Sequence, residues 1–96
     1  MIINNVLLKL KNRDEKSLLE AKNILLGMKG KIEVLLDIQA EINIRDGSSA
    51  YDMMFITKFA SMEDMNIYLT HPAHLEVAKY IVTVLETQAS VCYEAG

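Results

Sequence analysis

The chain has 96 residues, a formal net charge of −3 and an apolar fraction of 51%. The acidic balance argues against a nucleic-acid partner, and no apolar run approaches the roughly 18 residues that a membrane-spanning helix needs. A single cysteine, Cys92, cannot form an internal disulfide and is interpreted as a small buried residue. Because no signal sequence is visible either, we expect one cytoplasmic domain over residues 1–96.

The first quarter of the chain predicts a strand and then a helix. Residues 2–11 are rich in branched apolar side chains with an alternating pattern, which is typical of a strand. Asp14 is a suitable N-cap for the helix that follows, and Gly27 and Gly30 suit its end. Apolar residues recur at helical spacing between these limits, at Leu18, Ala21, Leu25 and Met28.

Two further strands are predicted in the middle of the chain. Apolar and polar residues alternate from Ile32 to Ile44, which predicts a strand of up to thirteen residues. A loop could precede Leu35, and the body of the strand runs from Leu36 onward. The polar row of this strand consists of Asp37, Gln39 and Glu41, and it is either solvated or faces the interior of a barrel. After a turn at residues 46–49, the segment 51–59 is apolar on both faces in its middle and predicts a strand covered on two sides.

The last third of the chain predicts an interrupted helix and a terminal strand. Ser61, with Asp64 three residues later, resembles a capping box and opens the helix. A residue before proline is pushed out of the α region, so the helix should break at the His71-Pro72 step and continue from Pro72 through Leu85. A final strand is predicted near residues 89–94. Ala89, Val91 and Tyr93 would lie on one face of it, and Ser90 and Cys92 on the other.

The order β-α-β-β-α-β predicts an α+β fold of the ferredoxin-like type. In this fold a four-stranded antiparallel sheet carries both helices on one face. The other face remains uncovered, and it would carry Met and Ile side chains from the third strand. The simplest way to bury them is a second copy packed sheet to sheet, so we expect a homodimer.

The segment from Tyr68 to His74 contains a tyrosine, the only proline and both histidines of the chain. Histidine titrates near neutral pH and a tyrosine hydroxyl can donate or accept a proton, so these residues could form an acid/base pair. From the residues alone, His74 is either a general base in a cleft or a helix residue bonded to a backbone carbonyl. Tyr68 is either an orienting group or a core residue with a hydrated hydroxyl, and His71 is interpreted as satisfying free N–H groups at the helix start.

A metal site is not expected from these two histidines. A catalytic zinc site needs three protein ligands, and the chain adds only scattered carboxylates such as Glu76 and Asp52. No glycine-rich phosphate loop and no set of serine, histidine and aspartate residues are visible. We therefore expect neither a metal nor an organic cofactor.

Several segments resemble the stress-responsive dimeric α/β barrel domain family, over nearly the whole chain. They are residues 6–11, the Tyr51-Asp52 pair, residues 59–61, the Tyr-x-x-His-Pro-Ala-His motif at 68–74 and residues 91–94. The motif at 68–74 is the specific part of the resemblance. The family implies a ferredoxin-like subunit, a dimer whose two sheets form a barrel, and a cleft between sheet and helices.

The same resemblance implies roles for individual residues. In a polyketide cyclase of the family, the Tyr and the second His of the motif orient the substrate and act as a base, which assigns these roles to Tyr68 and His74. That enzyme also has a histidine in its first strand where this chain has Asn4, a residue that can hydrogen-bond but cannot titrate. We assign Tyr68 and His74 as candidate catalytic residues, and Asn4 and His71 as candidate ligand-binding residues.

Two functions are left open by the sequence. The first is a dimer that binds a small apolar or aromatic molecule without catalysis. The second is a cofactor-free cyclase, isomerase or oxygenase-like enzyme in which His74 removes a proton next to a carbonyl and Tyr68 or Asn4 stabilises the oxyanion. Turnover of a substrate, rather than binding alone, would separate them.

Overall fold

The computed structural model describes residues 1–96. Its elements in chain order are β1 (Ile2–Leu10), α1 (Glu15–Leu26), β2 (Asp37–Ile42), β3 (Met53–Phe59), α2 (Met62–Thr70), α3 (Pro72–Val84) and β4 (Leu85–Glu94). The four strands form one antiparallel sheet in the order β2-β3-β1-β4. The predicted order of elements and the antiparallel sheet are therefore confirmed.

Alternation along each strand directs one set of side chains toward the helices. Leu8 of β1, Met53 and Phe59 of β3 are at most 2% exposed, and α1 packs Ala21 and Leu25 against them. This layer of sheet and helices is the hydrophobic core of the chain. None of the three helices combines the length and the apolar character that a membrane crossing requires.

The predicted helix boundaries depend on side-chain caps, and these caps are present. Asp14 Oδ1 accepts the Ser17 backbone N–H at 2.7 Å, and Ser61 Oγ accepts the Asp64 N–H at 3.1 Å. His71 adopts an extended conformation between α2 and α3. The predicted break before Pro72 is confirmed, and it divides the second helix into two.

The second strand is shorter than the alternation predicted. β2 spans only residues 37–42, because the chain turns at Gly30, whose φ of 80° is left-handed, and again where the Leu35 N–H bonds the Ile32 carbonyl at 3.1 Å. Ile32 is 3% exposed and packs into the core from this turn. The alternating sequence thus continues through a turn and imitates the period of a strand. A strand of all thirteen residues was wrong, and the alternative of a loop before the strand is the one that the structure shows.

The last strand is longer than predicted and lies at the edge of the sheet. β4 begins at Leu85, directly after α3, and nearly all its ten residues are exposed. Cys92 is exposed as well, so its interpretation as a buried residue was wrong. An edge strand has a neighbour on one side only, and the helices leave the Cys92 side of this strand accessible.

The sheet face opposite the helices is uncovered in the single chain, and we name it the open face. Three rows of paired residues cross it. Each row has a polar residue on β2, and the other residues on β3, β1 and β4 are apolar except Asn5 and Lys58. The rows are Glu41–Met54–Leu7–Ala89, Gln39–Ile56–Asn5–Val91 and Asp37–Lys58–Ile3–Tyr93.

Candidate functional site

A cleft of about 300 Å³ lies between α3 and the helix-facing side of β1 and β4. It exists because α3 stands off the sheet: α1 and α2 each have two buried residues, whereas α3 has none. The lining consists of Asn4, Val6, Leu8, Leu25, Met28, Phe55, Tyr68, Leu69, His74, Val77, Ala78, Ile81, Val82, Leu85 and Gln88. A larger depression of about 970 Å³ on the outer side of α1 is broad, open and mostly polar, which makes it a poorer small-molecule site.

Tyr68 and His74 are in contact at one end of this cleft. Their ring centroids are 4.4 Å apart with an interplanar angle of 50°, and Tyr68 also packs on Phe59 at 4.9 Å. Six positions along an unbroken helix would separate the two side chains by about 120° of rotation. The break at His71-Pro72 changes the direction of the helix and removes this separation.

The Tyr68 side chain is 2% exposed and lines the cleft. Burial raises the pKa of the Tyr68 hydroxyl well above its usual value, because the phenolate would lose its hydration. The hydroxyl therefore stays protonated at neutral pH. It is available as a hydrogen-bond donor to an oxygen in the cleft.

His74 is held by its Nδ1 atom, which lies 3.0 Å from the Leu69 carbonyl oxygen. A carbonyl can only accept, so Nδ1 carries the proton and Nε2 of the neutral ring keeps its lone pair. Burial lowers the pKa of His74, and the bond to Leu69 acts more weakly in the opposite direction. At neutral pH the side chain is therefore an uncharged imidazole that can accept a proton at Nε2.

The two candidate ligand-binding residues occupy different places. Asn4 lies on β1 and its side chain lines the cleft. His71 is outside the lining residues, and its Nδ1 accepts the Ala73 N–H at 3.0 Å, which caps α3 as the structural interpretation predicted. A ligand contact by His71 stays a prediction.

One polar residue of the cleft was not singled out from the sequence. Gln88 of β4 pairs with Leu8 in the sheet and lines the cleft near the end of α3. The predicted strand began at Ala89, so Gln88 fell outside it. Its even spacing from Ser90 and Cys92 was the available signal, because residues two apart on a strand share a face.

The chain offers no built metal site in this region or elsewhere. Nowhere do three or more His, Cys, Asp or Glu side chains come together in a way that could hold a metal ion. The chemistry that the cleft can perform with its own groups is proton transfer at His74 Nε2 and hydrogen bonding by Tyr68, Asn4 and Gln88.

The model of one protein family, the stress-responsive A/B barrel domain, matches residues 4–95. No curated protein is found to match the chain by sequence. Among solved structures, a dimeric protein of unknown function with a ferredoxin-like fold from Bacteroides fragilis is 24% identical, covers 98% of this chain and 95% of its own, and has a TM-score of 0.81. This likeness confirms the ferredoxin-like fold.

Two further solved structures show how varied the proteins of this shape are. A dimeric ferredoxin-like protein of unknown function from Thermobifida fusca is 16% identical, covers 98% of this chain and 90% of its own, and has a TM-score of 0.84. The hydroxynitrile lyase from Passiflora edulis is 14% identical, covers 99% and 93%, and has a TM-score of 0.81. At these identities the likeness establishes the fold and not a reaction.

Proposed function

The chain belongs to the stress-responsive A/B barrel domain family, and from this premise we propose that it is a homodimer that binds a small apolar or aromatic molecule in the cleft of each subunit. Twelve of the fifteen residues that line the cleft are hydrophobic. An apolar cavity with a few convergent polar groups is typical of small-molecule sites. This composition is the main support for a binding function.

The end of the cleft at Tyr68 and His74 determines which ligand group fits there. The Tyr68 hydroxyl can donate, His74 Nε2 can accept, and the Asn4 amide can do both. A phenol or ketone oxygen matches these groups, and the tilted rings of Tyr68 and His74 offer apolar surface beside them. We therefore expect an aromatic alcohol or ketone as the ligand.

The homodimer is supported by the open face and by the neighbours. Met54, Val91 and Tyr93 are between 38% and 65% exposed on one surface of the sheet. Large exposed apolar patches are characteristic of interaction sites. The neighbours from Bacteroides fragilis and Thermobifida fusca are dimeric proteins.

Filling the cleft should weaken binding. In Ala78→Phe a ring would project into the cleft from α3, and we expect the Kd of the probe 4-heptylphenol to rise at least about tenfold because the probe and the ring compete for one apolar volume. Isothermal titration calorimetry measures the Kd. Lys79→Phe places the same ring on the neighbouring exposed position and should leave the Kd unchanged. Equal binding by wild type and Ala78→Phe would overturn the assignment of the cleft.

A second function, cofactor-free proton abstraction, is favoured by the fixed orientation of the His74 ring. With Nδ1 bonded to Leu69, Nε2 can remove a proton from a carbon next to a ligand carbonyl, and the Tyr68 O–H can bond the enolate oxygen that forms. The imidazolium then returns its proton to the product, so the residue is regenerated.

Turnover would distinguish this second function. With a linear β-polyketone as substrate, we expect His74→Ala to lower the rate about 10²-fold to 10⁴-fold, because a general base is lost. Burial lowers the pKa of His74, so the wild-type rate should be level through neutral pH and fall only as the pH drops below the ordinary histidine range. Lys79→Ala, at an exposed position of α3 outside the cleft, is the control and should keep the rate. Binding of β-polyketones without conversion would leave only the binding function.

A further inference from the structure

We propose that the ligand is an elongated, uncharged molecule with a hydrogen-bonding group at each end, and that Gln88 binds the end remote from His74. This inference rests on the proposed function of the cleft. It adds a second polar contact to the proposed function. It also predicts that the ligand is long enough to reach both ends of the cleft and carries no charge.

The cleft has polar groups at two separated ends. Asn4 and Leu8 lie four residues apart on β1, a distance of about 13 Å along an extended strand, and Gln88 is paired with Leu8. α3 runs in the same direction, with His74 in its first turn, and ends next to Leu85, which pairs with Leu10. We name the region of Asn4, Tyr68 and His74 the proximal end and the region of Gln88 the distal end.

The surface between the two ends is apolar. Val6 and Leu8 come from the sheet, and Val77 and Ile81 come from α3. A polar atom placed midway would lose hydration without gaining a partner, whereas a methylene chain or ring would bury apolar surface. The cleft is therefore polar at both ends and apolar between them, and we expect the same order of groups along its ligand.

The amide of Gln88 is available for binding. The hydrogen bonds that side chains make within the chain involve neither the Asn4 nor the Gln88 amide. Ser90, the next residue on the same face of β4, does not line the cleft, so Gln88 is the polar group of this strand that a ligand meets. Because no lysine or arginine lines the cleft, a carboxylate at either end would be unpaired, which favours hydroxyl or carbonyl groups.

A pair of probes of equal length tests this inference. 4-Heptylphenol presents a methyl group at the distal end, and 4-(6-hydroxyhexyl)phenol presents a hydroxyl there. Both are titrated by calorimetry into the full chain as wild type, as Gln88→Leu and as Ser90→Ala. We expect Gln88→Leu to shift the ratio of the two Kd values by about fivefold in favour of the methyl probe, which is the effect of one net hydrogen bond. Ser90→Ala should leave the ratio at its wild-type value.

The outcomes separate this inference from the proposed function. In one outcome, both probes bind wild type and bind Ala78→Phe more weakly, while the ratio of their Kd values is the same in wild type and Gln88→Leu. In that case the cleft binds ligands and the distal contact is wrong. If neither probe binds wild type at millimolar concentration, both the distal contact and the proposed function are overturned. If Gln88→Leu binds neither probe while its circular dichroism is unchanged, the distal contact is also contradicted. Removing a specific contact would weaken the binding of the hydroxyl probe only.

Discussion

Leu7→Asp is expected to convert the proposed homodimer into monomers of half the mass. Leu7 lies on β1, a central strand, and it is flanked on the open face by Met54 of β3 and Ala89 of β4. If about 600 Å² of apolar surface were covered per subunit, the gross gain would be on the order of 15 kcal/mol before the cost of association. A carboxylate at this position would be buried without a partner in both subunits, which offsets several kcal/mol of that gain each time.

Light scattering after size-exclusion chromatography measures the change in mass, and circular dichroism checks that the sheet is retained. Leu75→Asp is the matched control, because Leu75 is 53% exposed on α3, on the helix side of the sheet. It should remain dimeric. A Leu7→Asp dimer would show that the open face is not the interface, and the exposed edge of β4 would then be the next surface to test. A wild-type monomer would overturn the homodimer itself.

The fold could be predicted because its signals are local. Strand alternation, the caps at Asp14 and Ser61 and the proline at the start of α3 each act over a few residues, and each was present as predicted. The length of β2 could not be predicted in this way. Ile32 would be buried whether it belonged to a strand or to a turn, and the alternation of apolar and polar residues is the same in both cases. Its contacts with distant parts of the core decide between the two.

The candidate site was only partly predictable for a similar reason. The sequence indicated that the helix breaks before Pro72, but the contact between Tyr68 and His74 depends on the angle between α2 and α3, which packing sets. The tautomer of His74 depends on a bond to the Leu69 carbonyl, and backbone carbonyls are equivalent in a sequence. Gln88 was missed because the end of α3 and the start of β4 share no turn residues that would mark the boundary.

Asp52→Ala is expected to lower the free energy of unfolding by about 3 kcal/mol, because it removes a buried carboxylate that joins three parts of the chain. Asp52 is 6% exposed, and its two oxygens accept the Leu10 N–H and the Arg13 Nε–H, both at 2.8 Å. The Arg13 guanidinium in turn donates to the carbonyls of Gly47 and Ala50 at 3.1 and 3.2 Å. The end of β1, the approach to α1 and the loop before β3 are therefore fastened at one point.

Urea unfolding at fixed protein concentration measures the loss, since the stability of a dimer depends on concentration. Asp46→Ala removes an exposed carboxylate from the same loop and should change stability by less than about 0.5 kcal/mol. Asp52→Asn keeps the size and one acceptor oxygen but loses the charge that faces Arg13, so it should fall between the two. If Asp52→Ala were as stable as Asp46→Ala, backbone bonds such as the one from the Asp52 N–H to the Leu8 carbonyl would suffice to hold the loop, and the ion pair would contribute nothing.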